Sequence, residues 1–236
     1  MVNTCDGNFG NDKSFRSFVH NMTDIDNKER IRLAAHDLMM KYGIRSISMD
    51  DIATNLGMSK KTIYQFYTDK DALVEAVVDG EINRTRGICE NDKQLAENAV
   101  HEIVLAIDMV KEIFKTINPS LLFDLHKYHP AAFLKFNQHK NTFLYKIMYD
   151  NIQWGKKQKL YRPEINTEIL ARFRVESMFI PMNQDFHAGI NSTLLEAEEQ
   201  IITHFLYGLT TPGGYEMALK YLNERKKTTD KKLSKQ

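Results

Sequence analysis

The chain has 236 residues, 42% of them hydrophobic and 27% charged, with 32 Lys and Arg against 31 Asp and Glu for a net charge of +1. This composition excludes a fully disordered chain and suffices for a sizeable core in one large or two small domains. Near-neutrality removes bulk charge as an argument about nucleic acid or membrane, and apolar runs such as 103–107 and 178–182 fall far short of the ~18 residues of a membrane helix.

The polar start has no secretory h-region. Cys5 and Cys89 lie far apart in sequence, without CxxC or metal-type spacing. The expectation is a reduced, cytoplasmic protein with no membrane segment, no metal and no cofactor. All five prolines fall at or beyond Pro119, and period-two alternation is scarce. The class expected is therefore all-α. Residues 1–25, rich in Asn, Asp, Gly and Ser, read as a flexible tail. The spacing then predicts helices over 27–42, 49–56, 60–66, 70–88, 93–117, 120–128, 131–158, 166–187, 191–210 and 213–225. Residues 226–236 follow as a basic tail. The domain division expected is a DNA-binding unit at 26–72 and a larger helical domain at 73–225.

Residues 27–75 are the informative stretch. Ile31, Ala34, Ala35, Leu38, Met39 and Tyr42 form one apolar stripe at helical spacing, and Gly43 follows where a left-handed cap would sit. Ser48 with Asp51 matches a capping box. The short helix it opens turns inward Ile52, Ala53 and Leu56, before a turn at Gly57-Met58. Ser59 can cap the next short helix, with Ile63 and Phe66 inward, and Thr68-Asp-Lys-Asp71 opens a fourth with Leu73, Val74 and Val77 buried. Short helix, glycine turn and short helix on a longer first helix is the helix-turn-helix plan. Ser59, Lys60, Lys61, Thr62, Tyr64 and Gln65 remain outside that core, at or near the second short helix's N-terminus. They offer charge for phosphates and hydroxyl and amide groups for backbone or base edges. Eight Lys and Arg against five Asp and Glu over 28–70 give the segment the right sign. A small helical subdomain with a solvated polar face is the competing reading.

The combined string resembles the TetR family of bacterial transcriptional regulators. The resemblance is carried by Ile31…Ala34-Ala35…Leu38-Met39…Gly43, Ser48-Met49-Asp50-Asp51-Ile52-Ala53, Gly57-Met58-Ser59-Lys60-Lys61-Thr62-Ile63-Tyr64 and Lys70-Asp71-Ala72-Leu73. It implies an N-terminal three-helix DNA-binding domain, a linking helix and a larger domain that binds an inducer and dimerises. By position it implies DNA contacts at Ser48 and Met49, a major-groove face of Ser59, Lys60, Lys61, Thr62, Tyr64 and Gln65, a phosphate contact by Tyr67 and a phosphate clamp at Lys70. After Gln65 the chain has Phe66-Tyr67 where the family often has Tyr or His and then Phe.

Beyond residue 90 the similarity is weak. The aromatic- and methionine-rich middle must mostly fill a core. The resemblance implies that some of it lines a pocket, for which Phe123, His126, Phe143, Trp154 and Phe179 are the candidates, suiting a small and partly apolar ligand. Asp124, His126 and His129 raise the question of a metal, but zinc needs three or four ligands and no other His or Cys cluster adjoins in sequence. The segment 166–187 carries Phe173 and Ile180, with a kink expected at Pro181. The helix at 191–210 carries Leu194, Ile201, Ile202, Phe205 and Leu209. Such faces can be core; the family's dimer interface lies on its last two long helices, which assigns these seven residues to a homodimer contact. The reading of the whole is a sequence-specific repressor on a pseudo-palindromic operator in double-stranded DNA, released by a small molecule. An enzyme retaining the helix-turn-helix, though without GxSxG, HExxH, P-loop or dinucleotide motifs, a small-molecule-binding protein retaining it, and a non-specific DNA-binding protein are the alternatives.

Overall fold

The computed structural model describes residues 13–187, 189 and 191–233. Its helices are α1 (Lys13–Tyr42), α2 (Met49–Leu56), α3 (Lys60–Phe66), α4 (Lys70–Leu95), α5 (Ala99–Phe114), α6 (Leu121–Tyr128), α7 (Pro130–His139), α8 (Tyr145–Lys157), α9 (Thr167–Ser177), α10 (Leu194–Leu209) and α11 (Pro212–Leu233). Among the described residues there is no strand, only an antiparallel bridge between Tyr161 and Thr210.

The caps fall where the polar residues placed them. Ser48 and Asp51 close a reciprocal capping box on α2, and Ser59, Asp69, Asn98, Asn166 and Thr193 each accept a hydrogen bond from a backbone amide in the first turn of the helix that follows. Gly57 ends α2 at φ +64°, a left-handed position that glycine takes at low cost.

Two cores result. The first joins Ile31, Ala35 and Met39 of α1 to Ile52 of α2, Ile63 of α3 and Leu73, Val74 and Val77 of α4. The second is built by α5, α8, α9, α10 and α11 around Ile103, Ile107, Ile152, Val175, Ile202, Phe205, Leu206 and Leu209. Each of these large apolar side chains contributes roughly 1.5–3 kcal/mol on burial. The long α4 belongs to the first core and runs on to pack against α5 and α7.

Several expected boundaries are corrected. Helix α1 starts at Lys13, so the second half of the segment read as a tail is helical; residues 1–12 lie outside the described residues. Helix α11 continues through the basic stretch to Leu233, and 234–236 again lie outside. Helix α5 starts at Ala99 rather than 93, because α4 runs on to Leu95 and Asn98 caps the new start. The span expected as one helix over 131–158 keeps its direction but contains a π-helical segment at Lys140–Leu144 between α7 and α8. The span 166–187 breaks after Ser177 into 3₁₀ turns at Ile180–Met182 and Gln184–His187, because Pro181 has no amide to continue the α-helical ladder.

Candidate DNA-reading face and ligand cavity

Helices α2 and α3 form the helix-turn-helix, and α3 turns Lys60, Lys61, Tyr64 and Gln65 outward while Ile63 is fully buried against α1. Lys60 Nζ lies 2.7 Å from Asp50 Oδ2 on α2, which steadies the lysine at the surface. Ser59 Oγ sits 2.8 Å from Thr62 Oγ1 and accepts from the Thr62 amide at 3.1 Å. Both hydroxyls therefore shape the start of α3 as well as edging the exposed face.

Three of the ten residues assigned to DNA are placed otherwise. The Met49 side chain is 6% exposed and belongs to the head's core. Tyr67 is 5% exposed, and its hydroxyl donates to the Lys28 carbonyl at 3.1 Å, so its polar end is spent on α1. Lys70 is half-buried and donates to the Ile44 carbonyl at 2.6 Å, which ties the start of α4 to the α1–α2 loop; burial lowers its pKa from the ordinary lysine value. Ser48 stays exposed, and its hydroxyl donates to Asp51 at 2.6 Å. Arg45, exposed in the α1–α2 loop with its guanidinium 5.5 Å from the Tyr128 ring, adds a cation near this face that the helical pattern did not single out.

The cluster of Asp124, His126 and His129 is separated by the fold. Asp124 accepts from the Arg45 amide at 3.1 Å, His129 Nδ1 lies 2.5 Å from Asp71 Oδ1, and exposed His126 lies against the Phe133 ring. The first two contacts fasten α6 to the helix-turn-helix head. Their signal in sequence was a pair of buried polar residues whose partners lie 58 and 79 positions away.

A cavity of about 240 Å³ lies where the two cores meet. Met39 and Ile44 from the α1 end and Val74 and Val77 of α4 face it from the first core, and Ile103, Met148 and Ile202 face it from the second. Its polar groups are few and specific. His36 Nε2 lies 3.3 Å from Glu81 Oε2, and Arg84 donates to both Glu81 oxygens. Burial works to raise the Glu81 carboxyl, but His36 and Arg84 overcome it and bring it to about 2, while Glu81 raises the imidazole of His36. Burial, with the Arg86 charge nearby, lowers His139 to about 4. Arg174 donates to Glu198 at 2.6 Å, both side chains being almost fully enclosed.

Of the five residues expected to line a ligand pocket, Phe179 faces this cavity. Phe123 and His126 line a separate hollow with Phe179. Phe143 stacks on His139, their ring centroids 5.1 Å apart, and Trp154 packs against the second core. Aromatic content pointed to the right region, but the wall is chiefly aliphatic. Of the residues assigned to the dimer contact, Ile202, Phe205 and Leu209 are enclosed by their own chain and belong to its core. Phe173 is 50% and Ile180 37% exposed, while Leu194 and Ile201 are half-buried. Among the described residues no helix is long and apolar enough to cross a membrane.

Comparison with known proteins agrees with this architecture. Residues 31–77 match the model for bacterial regulatory proteins of the tetR family. An uncharacterized HTH-type transcriptional regulator of Bacillus subtilis, YvaF, is 29% identical over 189 residues, spanning 77% of this chain and 95% of its own. The fold is similar to a TetR-family transcriptional regulator from Agrobacterium tumefaciens at TM-score 0.68 and 14% identity, over 80% of this chain and 100% of the other. It is also similar to a putative transcriptional regulator from Saccharomonospora viridis solved with choline, at TM-score 0.65 and 16% identity, over 79% and 98% of the two chains.

Proposed function

The chain belongs to the TetR family of DNA-binding transcriptional regulators, and from that premise we propose that it is a homodimeric repressor whose hold on its operator is set by a small, largely apolar ligand. The observation that carries this reading is the position of the cavity. Met39, Ile44, Val74 and Val77 are at once its wall and the packing of the DNA-binding head. A molecule seated there touches the head directly, so a change in how α1 and α4 pack around it changes the aim of α3. The choline-bound neighbour supports the same use of the fold for a small organic ligand.

In a two-fold dimer, two copies of α3 enter successive major grooves of a pseudo-palindromic site. Lys60 and Lys61 meet phosphates there, Thr62, Tyr64 and Gln65 reach backbone or base edges, and Ser48 edges the same face. The exposed Ile169, Phe173 and Ile180, with Leu194 and Ile201 beside them, form the contact between protomers. Repression lifted by ligand requires the ligand to prefer the protein free of DNA, so operator must weaken ligand binding by the same factor as ligand weakens operator binding.

The test is fluorescence anisotropy on duplex from upstream of the protein's own gene, against scrambled duplex, at two salt concentrations. Specific binding is expected to exceed non-specific binding by ~10³-fold or more. Gln65→Ala is expected to cost on the order of 1–3 kcal/mol on the specific duplex and to relax preference at one position. Equal losses on both duplexes would move Gln65 from base reading to the backbone. Equal, salt-sensitive binding of the unaltered protein to every upstream and scrambled duplex would count against sequence reading.

A further inference from the structure

Three polar side chains in the cavity wall carry buried atoms without a hydrogen bond; one, His36, keeps its Nε2 3.3 Å from the Glu81 carboxyl, and the other two are His139 and Glu198. His139, at the end of α7, is 5% exposed, and neither ring nitrogen has a hydrogen-bond partner. Glu198 on α10 is fully enclosed; its Oε1 accepts from Arg174, while Oε2 has no hydrogen-bond partner. A buried acceptor or donor left unmade is costly, and natural folds keep few of them without a use. Both groups face one cavity whose remaining wall is dominated by Met, Ile, Val and Leu. The π-helical segment begins at the residue after His139, and such wide turns recur at functional sites.

The charges around the cavity narrow the choice of ligand. Arg174, the arginine among the described lining residues, is already engaged by Glu198. The other lining groups that ionise include three carboxyl groups, Glu81, Asp92 and Glu102. An anion would therefore meet carboxylates before it met an uncommitted cation. Size narrows the choice further. A cavity of about 150 Å³ admits benzene, so this one, at about 240 Å³, suits a molecule of about ten non-hydrogen atoms.

We propose that the ligand is an apolar molecule of about this size bearing a hydroxyl or an amine, which donates a hydrogen bond to Glu198 Oε2 and uses His139 as its second polar contact. This rests on the reading of the cavity as the effector site. A hydroxyl or amine can satisfy Glu198 by donation, and neutral imidazole can either give or take a hydrogen bond. A carboxylate can make no such donation to Glu198 and adds a like charge.

The experiment compares 1-octanol, octylamine and octanoate, matched in their apolar part, by titration calorimetry on the full chain and then by anisotropy with operator DNA. The alcohol or the amine is expected to bind at least about tenfold more tightly than octanoate, the worth of about one hydrogen bond. The preference between those two reports whether a neutral or a cationic donor is favoured. His139→Leu, a substitution away from the buried ion pair, is expected to weaken the preferred compound by about tenfold. Glu198→Gln is expected to narrow the gap between octanoate and the alcohol. Octanoate binding as tightly as both others, or none of the three binding, overturns the proposal. Octanol or octylamine that binds but leaves operator affinity unchanged upholds the ligand chemistry and removes the effector reading. Octanoate that binds tightly and releases DNA does the reverse.

Discussion

His139 stays neutral in the fold, with its pKa lowered to about 4 against an ordinary 6.5. Between pH 6.5 and 4 the unfolded chain takes up a proton there that the native chain does not. Stability therefore falls as pH drops through that window, by at most about 3 kcal/mol, since each tenfold difference in proton affinity is worth about 1.36 kcal/mol. Urea unfolding at pH 7.5 and 4.5 is expected to show a loss on acidification that His139→Leu reduces by roughly 2–3 kcal/mol. Identical losses in both proteins would mean that this imidazole is charged in the fold. Gly43 makes a second prediction. It ends α1 at φ +87°, and a Cβ there would lie 3.0 Å from Ser120 Oγ. Gly43→Ala is expected to destabilise by at least about 1–2 kcal/mol in denaturant titration, with the strain at the joint between head and body. The sequence marked Gly43, Ser48, Ser59, Lys61 and Gln65 correctly as cap or surface residues, because caps and solvent faces are local. It misplaced Met49 and Tyr67, whose burial depends on what α1 places above them.

Besides the apolar packing of the second core, α9 and α10 share one enclosed ion pair, Arg174 with Glu198. Removing one partner strands a buried charge, so Glu198→Leu is expected to cost on the order of 3–5 kcal/mol, and Arg174→Met combined with it to recover most of that loss. A double variant no more stable than the single one would show that the pair holds the helices by more than charge balance. Periodicity located α2, α3, α6 and α10 closely, since each has a polar start and one apolar face. It could not show the π turn after His139, because a widened turn keeps the chain helical and leaves the apolar pattern almost intact. Nor could it place the ends of α1 and α11, whose polar extensions carry little apolar pattern to follow.

At the scale of the molecule, the exposed Ile169 and Phe173 lie one turn apart on α9, 63% and 50% accessible. Apolar surface of this kind is what a second protomer would cover. Ile169→Glu with Phe173→Glu is expected to convert a dimer to a monomer in sedimentation velocity, with far-UV circular dichroism unchanged and operator affinity lowered because each protomer then reads one half-site alone. A dimer that survives both changes would place the contact elsewhere. The sequence conveyed the division into head and body through the resemblance of residues 27–75. It did not convey the cavity, which arises where two cores meet and whose wall comes from residues that each look like ordinary core.

Because Met39, Ile44, Val74 and Val77 serve both the cavity and the head, the two sides of the proposed ligand site are unequal as ground for evolutionary change. A substitution on the head side that admits a new molecule also loosens the module that reads DNA, so selection for a new signal is penalised there. Ile103, Met148 and Ile202, on the opposite wall, carry no such double duty. Lineages that drift toward new signals should accumulate their changes on that wall while the head side stays nearly fixed, which would let the repertoire of signals diversify under an unchanged operator.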